Sequence, residues 1–439
     1  MNQNISSNPL LTSSTHPFGA FSFNALEQDH YGPAFEAGIK ATLQNLFAIK
    51  HASSQPTFEN TILAIETLSE SLDHVAKIFF NMLGTCSDER MQAMAKEFSP
   101  KLADISSDLL LDDAIFARVK SIWDRRLELK LSGEDLKLTE KKYKAFTRNG
   151  ALLSKEKKEE LRKIDQELSK LGPEFGDNVL KATNTFKLVL ESESELDGLP
   201  ASAIQAYAEA AKEAGLDGKW LVTLHGPSFI PFMTYASKRR HRETLWRAYG
   251  ARAIDENQEL TKRIVTLRHK RAQLLGYETH AHFTLEERMA GNPKTVMTFL
   301  EDLLEKVAPA ARRDLGEVKA HKKAVTGSDE LAPWDYAYWS EKLKVAQHDF
   351  NEEELRPYFK LENVIDGVFE HARRLYGLSF KTRTDIPTYH QDVRTYEVVE
   401  ENTGRHIGLF YADFFPRASK RGGAWMTTFR DQGYVAEGG

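Results

Sequence analysis

The sequence predicts a mainly α-helical protein with a small antiparallel sheet near its C-terminal end. Two observations predict this class. Over most of the chain apolar residues recur at steps of three and four, which is the spacing of one helix face. After residue 392 the period changes to two, the spacing of a β-strand. The 439 residues allow two or three domains with a large core.

The first helix is predicted to carry Pro33 in its first turn, where proline is well tolerated. Phe35, Ile39, Leu43 and Phe47 follow at steps of four and are expected to form its apolar face.

The next helix is predicted from Phe58, Ile62, Ile65 and Leu68, with Thr57 as its N-cap. Residues 154–171 predict a solvated, charged helix capped by Ser154. The Gly172-Pro173 pair is expected to kink or break that helix.

The acidic stretch 191–200 is interpreted as a joint between domains. Beyond it we expect a helix over residues 201–214 and a short strand over 220–224. The predicted organisation is an extended arm (1–24), a helical N-terminal domain (25–200), a helical middle region (201–378) and the start of a small sheet belonging to a truncated catalytic domain (379–439).

The clearest helix spans residues 364–376 and is expected to end at Gly377 as its C-cap. The alternation over 393–400 and the apolar run 407–411 predict two strands. Residues 402–404, Asn-Thr-Gly, suit the turn of a hairpin between them. Residues 424–429 are interpreted as a third strand.

Composition excludes several classes of function. The net charge is −5, without the basic excess typical of proteins that bind nucleic acids or anionic membranes. The chain contains no run of 18 consecutive apolar residues, so no membrane-spanning helix is predicted. The N-terminus lacks a basic start followed by an apolar run, so no secretory signal is predicted and a cytoplasmic location is expected. Cys86 is the single cysteine, which excludes an intrachain disulfide and a cysteine-rich zinc site.

Searches for catalytic motifs are mostly negative. None of the 14 histidines is followed by glutamate, so the zinc-peptidase motif H-E-x-x-H is absent from these residues. The inverted form H-x-x-E-H, the G-x-S-x-G elbow, the P-loop and the dinucleotide fingerprint are absent as well. His280 and His282 resemble a metal pair, but on the predicted helix their side chains diverge.

Three further groups have a simpler structural interpretation. Cys86 has no basic neighbour in sequence and is expected to be a buried thiol. Residues 352–354, three glutamates, suit the start of a helix. Arg417, Lys420 and Arg421 beside Gly422-Gly423 could bind an anion, although a structural loop with solvated charges is favoured.

Long stretches of the chain resemble the thimet oligopeptidase family of zinc metallopeptidases. The N-terminal and middle blocks are residues 8–11 (NPLL), 30–36 (HYGPAFE), 220–253 and 271–282. The more specific blocks are residues 332–339 (APWDYAYW), 355–359 (LRPYF), 375–378 (LYGL) and 407–417 (IGLFYADFFPR). Residues 420–426 (KRGGAWM) resemble the sequences of the dipeptidyl-carboxypeptidase and oligopeptidase A branch rather than those of the mammalian thimet branch. The blocks span the chain in order.

The resemblance implies two multi-helix halves of an ellipsoid flanking a deep channel, with a zincin-like catalytic domain. It implies one zinc ion, held by the two histidines of H-E-x-x-H and by a glutamate on a following helix. It also implies that the motif glutamate deprotonates the zinc-bound water for attack on a peptide carbonyl. The expected partners are short unfolded peptides, with no nucleic acid and no membrane, and the complete enzyme is expected to be a monomer.

In the family the zinc motif follows the G-G-A-W-M block, whereas these 439 residues contain no such motif. We therefore expect no catalytic residue and no metal ligand here, no bound zinc and no peptidase activity by this chain alone. Tyr411, Gly422, Gly423 and Trp425 are the candidates for residues near the substrate channel. Sheet packing and turn geometry would explain each of these four equally well.

Two other functional hypotheses remain open. The chain could be a non-catalytic peptide-binding or scaffold protein, in which case it would melt cooperatively as a monodisperse species. Alternatively, it could be one half of a split peptidase, with the metal site supplied by a separate chain.

Overall fold

The computed structural model describes residues 7–433 of the chain. This part is mainly helical and contains two small antiparallel sheets. The helices are α1 Tyr31–Lys50, α2 Ala64–Glu66, α3 Glu70–Thr85, α4 Glu89–Leu110, α5 Asp113–Asp124, α6 Gly133–Arg148, α7 Lys155–Thr185, α8 Ala201–Glu213, α9 Gly226–Tyr235, α10 Arg239–Gly250, α11 Ile254–Leu274, α12 His280–Leu285, α13 Pro293–Thr326, α14 Tyr336–His348 and α15 Leu361–Tyr376. The strands are β1 Leu188–Leu190, β2 Trp220–Val222, β3 Leu378–Thr382, β4 Arg394–Glu400 and β5 His406–Ala412. The predicted fold class is confirmed, while the channel stays a prediction.

The first core cluster joins the N-terminal arm to α1, α3 and α4. Leu10, Phe21 and Phe23 of the arm are buried against it. Short 3-10 turns at Pro17–Gly19, Phe23–Ala25 and Gln28–His30 shape the arm. The arm is therefore packed on the helices through these three residues.

The apolar face predicted for α1 is only partly correct. Phe35 is fully buried, but Leu43 is 41% exposed and Phe47 is 65% exposed. Leu46 and Ile49 are buried in their place. The reason is rotation: each step of four residues advances about 40° beyond a full turn. A face built on steps of four alone therefore drifts away from the core by about 120° between residues 35 and 47.

The second core cluster contains the predicted residues Ile62, Ile65 and Leu68, all buried, against helices α5 and α6. The chain enters α2 through a π-helical turn, Phe58–Leu63. The Thr57 hydroxyl accepts a hydrogen bond from the Asn60 amide, which confirms the predicted N-cap.

Helix α7 is capped by Ser154, as predicted, but it does not break at Gly172-Pro173. It continues to Thr185 and packs against α4 and α11 along its length. A proline inside a helix removes one backbone hydrogen bond. Packing on two neighbouring helices compensates for that loss.

The predicted hairpin near the C-terminal end is confirmed. β4 pairs with β5 in antiparallel register, with Tyr396 opposite Phe410. Gly404 in the connecting turn has φ +70°, a conformation that favours glycine. β2, predicted from residues 220–224, pairs with β1, which the sequence analysis did not predict.

The third strand of the larger sheet was predicted in the wrong place. Residues 424–429 form no strand, and β3 at Leu378–Thr382 occupies the position beside β4. Gly377 ends α15 as predicted, with φ +65°, and this left-handed turn leads the chain directly into β3. On α15 itself, Phe369 stacks on Phe380 of β3 with ring centroids 4.0 Å apart.

Within residues 7–433, no helix is both long enough and apolar enough to cross a membrane.

Candidate functional site

The stretch of residues 413–431, called here the docked segment, leaves β5 and lies across the C-terminal end of α3. The Ser87 amide donates to the Ser419 carbonyl at 2.9 Å, and the Arg421 amide donates to the Gly84 carbonyl at 3.0 Å. The Arg417 guanidinium donates to the Thr85 carbonyl at 3.1 Å. The Gly84 and Thr85 carbonyls belong to the last turn of α3 and therefore have no partner within the helix. The docked segment therefore completes the hydrogen bonding of the end of α3.

Asp413 holds the docked segment in shape. Its carboxylate is 9% exposed and pairs with Arg417 at 2.7 Å and with Lys420 at 3.1 Å. The Tyr389 hydroxyl donates to the same carboxylate at 3.2 Å. Burial by itself would raise the pKa of Asp413, but hydrogen bonds from Arg417 and Lys420 outweigh it and hold that pKa below its usual range. Asp413 is therefore ionised at neutral pH.

Lys420 has a second function in the loop. Its ammonium donates to the carbonyls of Asp413, at 2.8 Å, and of Phe415, at 3.1 Å. Three donated bonds use the full capacity of a lysine. This side chain therefore folds the segment back on itself and is not available to a ligand.

Further contacts extend the docking along α3 and onto α7. Asn81 on α3 hydrogen-bonds to Thr427 and, at 3.5 Å, to the Thr428 carbonyl. Lys77 pairs with Asp431. From α7, the Asn184 amide donates to the Ala418 carbonyl at 2.8 Å.

Asp177 on α7 is an incompletely paired acid beneath the segment. It is 9% exposed, and one of its oxygens has no hydrogen-bond partner among the described residues. Arg421 lies 4.0 Å from the other oxygen. Burial raises the pKa of Asp177, against the opposing charge of Arg421. This pair contributes less to docking than the Asp413 cluster does.

Tyr411, the first of the predicted channel candidates, lies in an aromatic cluster below the docked segment. Its ring meets Phe23 at 5.8 Å and Phe429 at 5.7 Å, both edge to face. Burial raises the pKa of Tyr411 to about 12. The ring thus links the arm, β5 and the docked segment.

Gly422, Gly423 and Trp425 share one exposed loop over the end of α3. Gly423 has φ +108°, which favours glycine, while a Cβ at Gly422 would meet no atom within 4 Å. Trp425 is 44% exposed, and its ring edge lies over Gly84. The structure brings these three together and places Tyr411 in the layer beneath. Their role near a channel stays a prediction.

The favoured interpretation of the basic loop was partly wrong. Arg417 and Lys420 are neither solvated nor free for an anion, because both are largely buried and pair with Asp413. Asp413 was not among the candidates, although its position four residues before Arg417 was a usable signal.

Cys86 is half-buried rather than buried, and Arg417 lies 3.9 Å from its sulfur. The basic neighbour comes from 331 residues away in sequence and could not be found locally.

The histidine pair and the glutamate run have structural roles. His280 and His282 lie on α12, and His282 contacts the capping residue Thr279. Glu352 begins a short helical turn capped by Asn351. Residues 7–433 contain no group of three or more His, Cys, Asp or Glu side chains that could hold a metal ion. No catalytic step through zinc is assigned to the described residues.

Comparison with known proteins gives the chain its class. The profile of Peptidase family M3 matches residues 232–437. Dipeptidyl carboxypeptidase of Escherichia coli K12 is 35% identical over 430 residues, which are 97% of this chain and 63% of that protein. Oligopeptidase A of the same organism is 33% identical over 439 residues, 98% of this chain and 64% of that protein. The probable cytosolic oligopeptidase A of Arabidopsis thaliana is 33% identical over 442 residues, 96% of this chain and 61% of that protein.

These matches make the chain similar to peptidases. Its residues 232–437 match peptidase family M3, and nearly its whole length is similar to dipeptidyl carboxypeptidase and oligopeptidase A. The chain spans less than two thirds of the length of each of these relatives.

Proposed function

We propose that this chain is part of a zinc-dependent peptidase that hydrolyses short peptides, as a peptidyl-dipeptidase or an oligopeptidase. The observation that carries the proposal is the continuous match of 97% of the chain to a dipeptidyl carboxypeptidase. The zinc ligands and the general base are to be supplied by residues outside 1–439, since this sequence has no H-E-x-x-H. The proposed substrates are unfolded peptides, and the proposed location is the cytoplasm.

The contribution that we propose for residues 1–439 is structural support for a substrate channel. The docked segment lies inside the range matched by the family profile. Asp413 pairs with Arg417, which donates to the Thr85 carbonyl at the end of α3. Gly422, Gly423 and Trp425 are thereby held in a defined loop. An exposed aromatic ring beside two glycines can accept the backbone of an extended peptide, because glycine allows close approach. This support does not require that any of the four residues take part in the chemistry.

Exposed apolar surface on α15 favours this proposal over a self-sufficient scaffold. Val368 is 59% exposed, Leu375 70% and Tyr376 72%. Patches of this kind mark surfaces that contact other polypeptide. No contact in the described part of the chain favours the scaffold hypothesis specifically.

Sequencing the source gene beyond codon 439 tests the proposal first. An open frame that encodes H-E-x-x-H within some tens of codons is the expected result. A stop codon directly after codon 439 would contradict a single-chain enzyme and leave the split peptidase and the scaffold.

Activity measurements then test the division of roles. Residues 1–439, purified with added zinc, should not cleave a short quenched-fluorescence peptide. The longer product of the gene should cleave it, and a chelator should stop the reaction. Chelator-sensitive cleavage by residues 1–439 alone would overturn the proposed division.

A further inference from the structure

A cavity of about 360 Å³ lies between α7, α11 and α12, away from the docked segment. Its apolar lining comes from Leu168, Ile264 and Phe283. Its polar lining comes from Asn149, Arg268, Arg271 and His280. Cavities of this size are at the lower end of those that hold small organic ligands.

Gly172 lines the cavity from α7. It lies within α7 with ordinary helical backbone, so no left-handed conformation requires glycine there. A Cβ at this position would meet no atom within 4 Å. Glycine also weakens a helix interior. Gly172 is exposed, so its missing side chain leaves the cavity open at this point of α7.

The positive charge of Arg271 is already balanced. Its guanidinium donates to Asp165 at 2.6 Å and to Asn149 at 3.1 Å. The same guanidinium lies 5.1 Å from the centre of the Phe283 ring, which Arg148 approaches from 4.7 Å. Arg271 and Phe283 therefore form fixed walls of the cavity.

The positive charge of Arg268 is not balanced in this way. No carboxylate in the described part of the chain lies within ion-pair distance of its guanidinium. Burial, together with the charges of Arg268 and Arg271, lowers the pKa of His280 on the opposite wall. The cavity thus combines an exposed arginine that has no ion pair within residues 7–433 with three partly buried apolar side chains.

We propose that this cavity is a binding site for a small organic carboxylate, whose charge pairs with Arg268 and whose apolar group lies against Leu168, Ile264 and Phe283. The volume suits a ligand the size of one or two amino acids. An inorganic anion would leave the apolar walls without a partner. The proposal does not depend on peptidase activity.

The first experiment is calorimetric titration of residues 1–439 with 3-phenylpropanoate, and with its neutral amide as a matched ligand control. We expect the carboxylate to bind and the amide to bind at least tenfold more weakly. Arg268→Gln should reduce carboxylate affinity by a factor of ten or more. Lys262→Gln, a change of an exposed cation on the same helix outside the cavity, should leave it unchanged.

A second variant tests the location. Gly172→Leu places a side chain in the open space and improves helix propensity, so it should abolish binding without lowering the melting temperature. Three results would each overturn the proposal: no binding up to the solubility limit of the probe, equal affinity for the amide, or unchanged affinity in Gly172→Leu.

Discussion

Residues 31–190 and residues 293–376 are both helical, but they bury apolar side chains to very different extents. The first region supplies most of two core clusters, with Phe35, Ile62 and Ile122 fully enclosed. In the second, the buried apolar side chains are Val318 and Ile365. Large exposed ones run along α13 and α15 there: Met297, Phe299, Leu300, Leu303, Leu304, Val307, Val364, Val368, Leu375 and Tyr376.

The comparison shows that a region of this chain can form amphipathic helices without burying their apolar faces in a core. Both regions have amphipathic helices, but only the first region buries most of its apolar side chains within the described residues. The second region leaves most of its large apolar side chains exposed within the described residues.

The largest difference in unfolding free energy should come from replacing one phenylalanine by alanine in each region. Phe79 is fully buried and meets the rings of Tyr31 and Phe35, so Phe79→Ala should cost about 3 to 5 kcal/mol of unfolding free energy. Phe299→Ala on α13, where the ring is 64% exposed, should change it by less than about 0.5 kcal/mol. Urea unfolding measures both. Equal losses would show that the second region has a core of its own.

The second region is anchored to helix α10 through Asp335. This carboxylate is fully buried and pairs with Arg242, which is 2% exposed, and with Arg239. Asp335→Ala leaves Arg242 buried without its partner and should cost at least about 3 kcal/mol. The matched change Asp302→Ala, at an exposed pair on α13, should cost less than about 1 kcal/mol. If thermal melts of the two variants coincide, Asp335 is not an anchor.

The docked segment should respond to a smaller change, Asp413→Asn. Losing the charge that Arg417 and Lys420 share should weaken docking by about 1 to 3 kcal/mol. Trypsin should then cut faster after Arg417, Lys420 and Arg421 than in the parent chain. Asp385→Asn, at an exposed pair, is the control and should leave these cleavage rates unchanged.

The same contact predicts a pH dependence. The folded-state pKa of Asp413 lies below its unfolded value, so its stabilisation is fully present above about pH 4 and is lost as the pH falls through the folded value. Amide-exchange protection at Ser87 and Arg421, whose amides join the segment to α3, should fall at acid pH in the parent chain. In Asp413→Asn this acid-induced fall should be absent, and its persistence there would exclude Asp413 as the cause.

The smallest expected effects come from helix caps. Ser154→Ala at α7 and Asn292→Ala at α13 each remove one capping bond, worth about 1 kcal/mol. At α7, which packs on two helices, the loss should appear in global unfolding. At α13 it should appear as local fraying, measurable by hydrogen exchange in the first turn. Global destabilisation by both caps would argue against the difference between the two regions.

Local patterns predicted helices and caps well because both depend on neighbouring residues. Thr57, Ser154 and Gly377 were each identified from sequence, and each has the expected geometry. The α1 face was misassigned because a helix does not repeat at four residues. The third strand was misassigned because residues 424–429 are held by contacts to α3, which no local pattern records.

The candidate site was less predictable for the same reason. The family, and the importance of the loop with Gly422 and Trp425, were predicted from the resemblance to known peptidases. The partners that fix this loop, Thr85 and Cys86, lie more than 300 residues earlier in the chain. A single sequence contains no signal for such pairs.

That separation has a consequence for synthesis. Arg417 and Thr85 are 332 residues apart in sequence. Because ribosomes add about 5 to 20 residues per second, the docked segment is synthesised roughly 20 to 60 s after the end of α3 that it covers. During that interval the last carbonyls of α3 and the Cys86 thiol face solvent or a chaperone. The N-terminal helices therefore have to fold, and stay folded, with one end open.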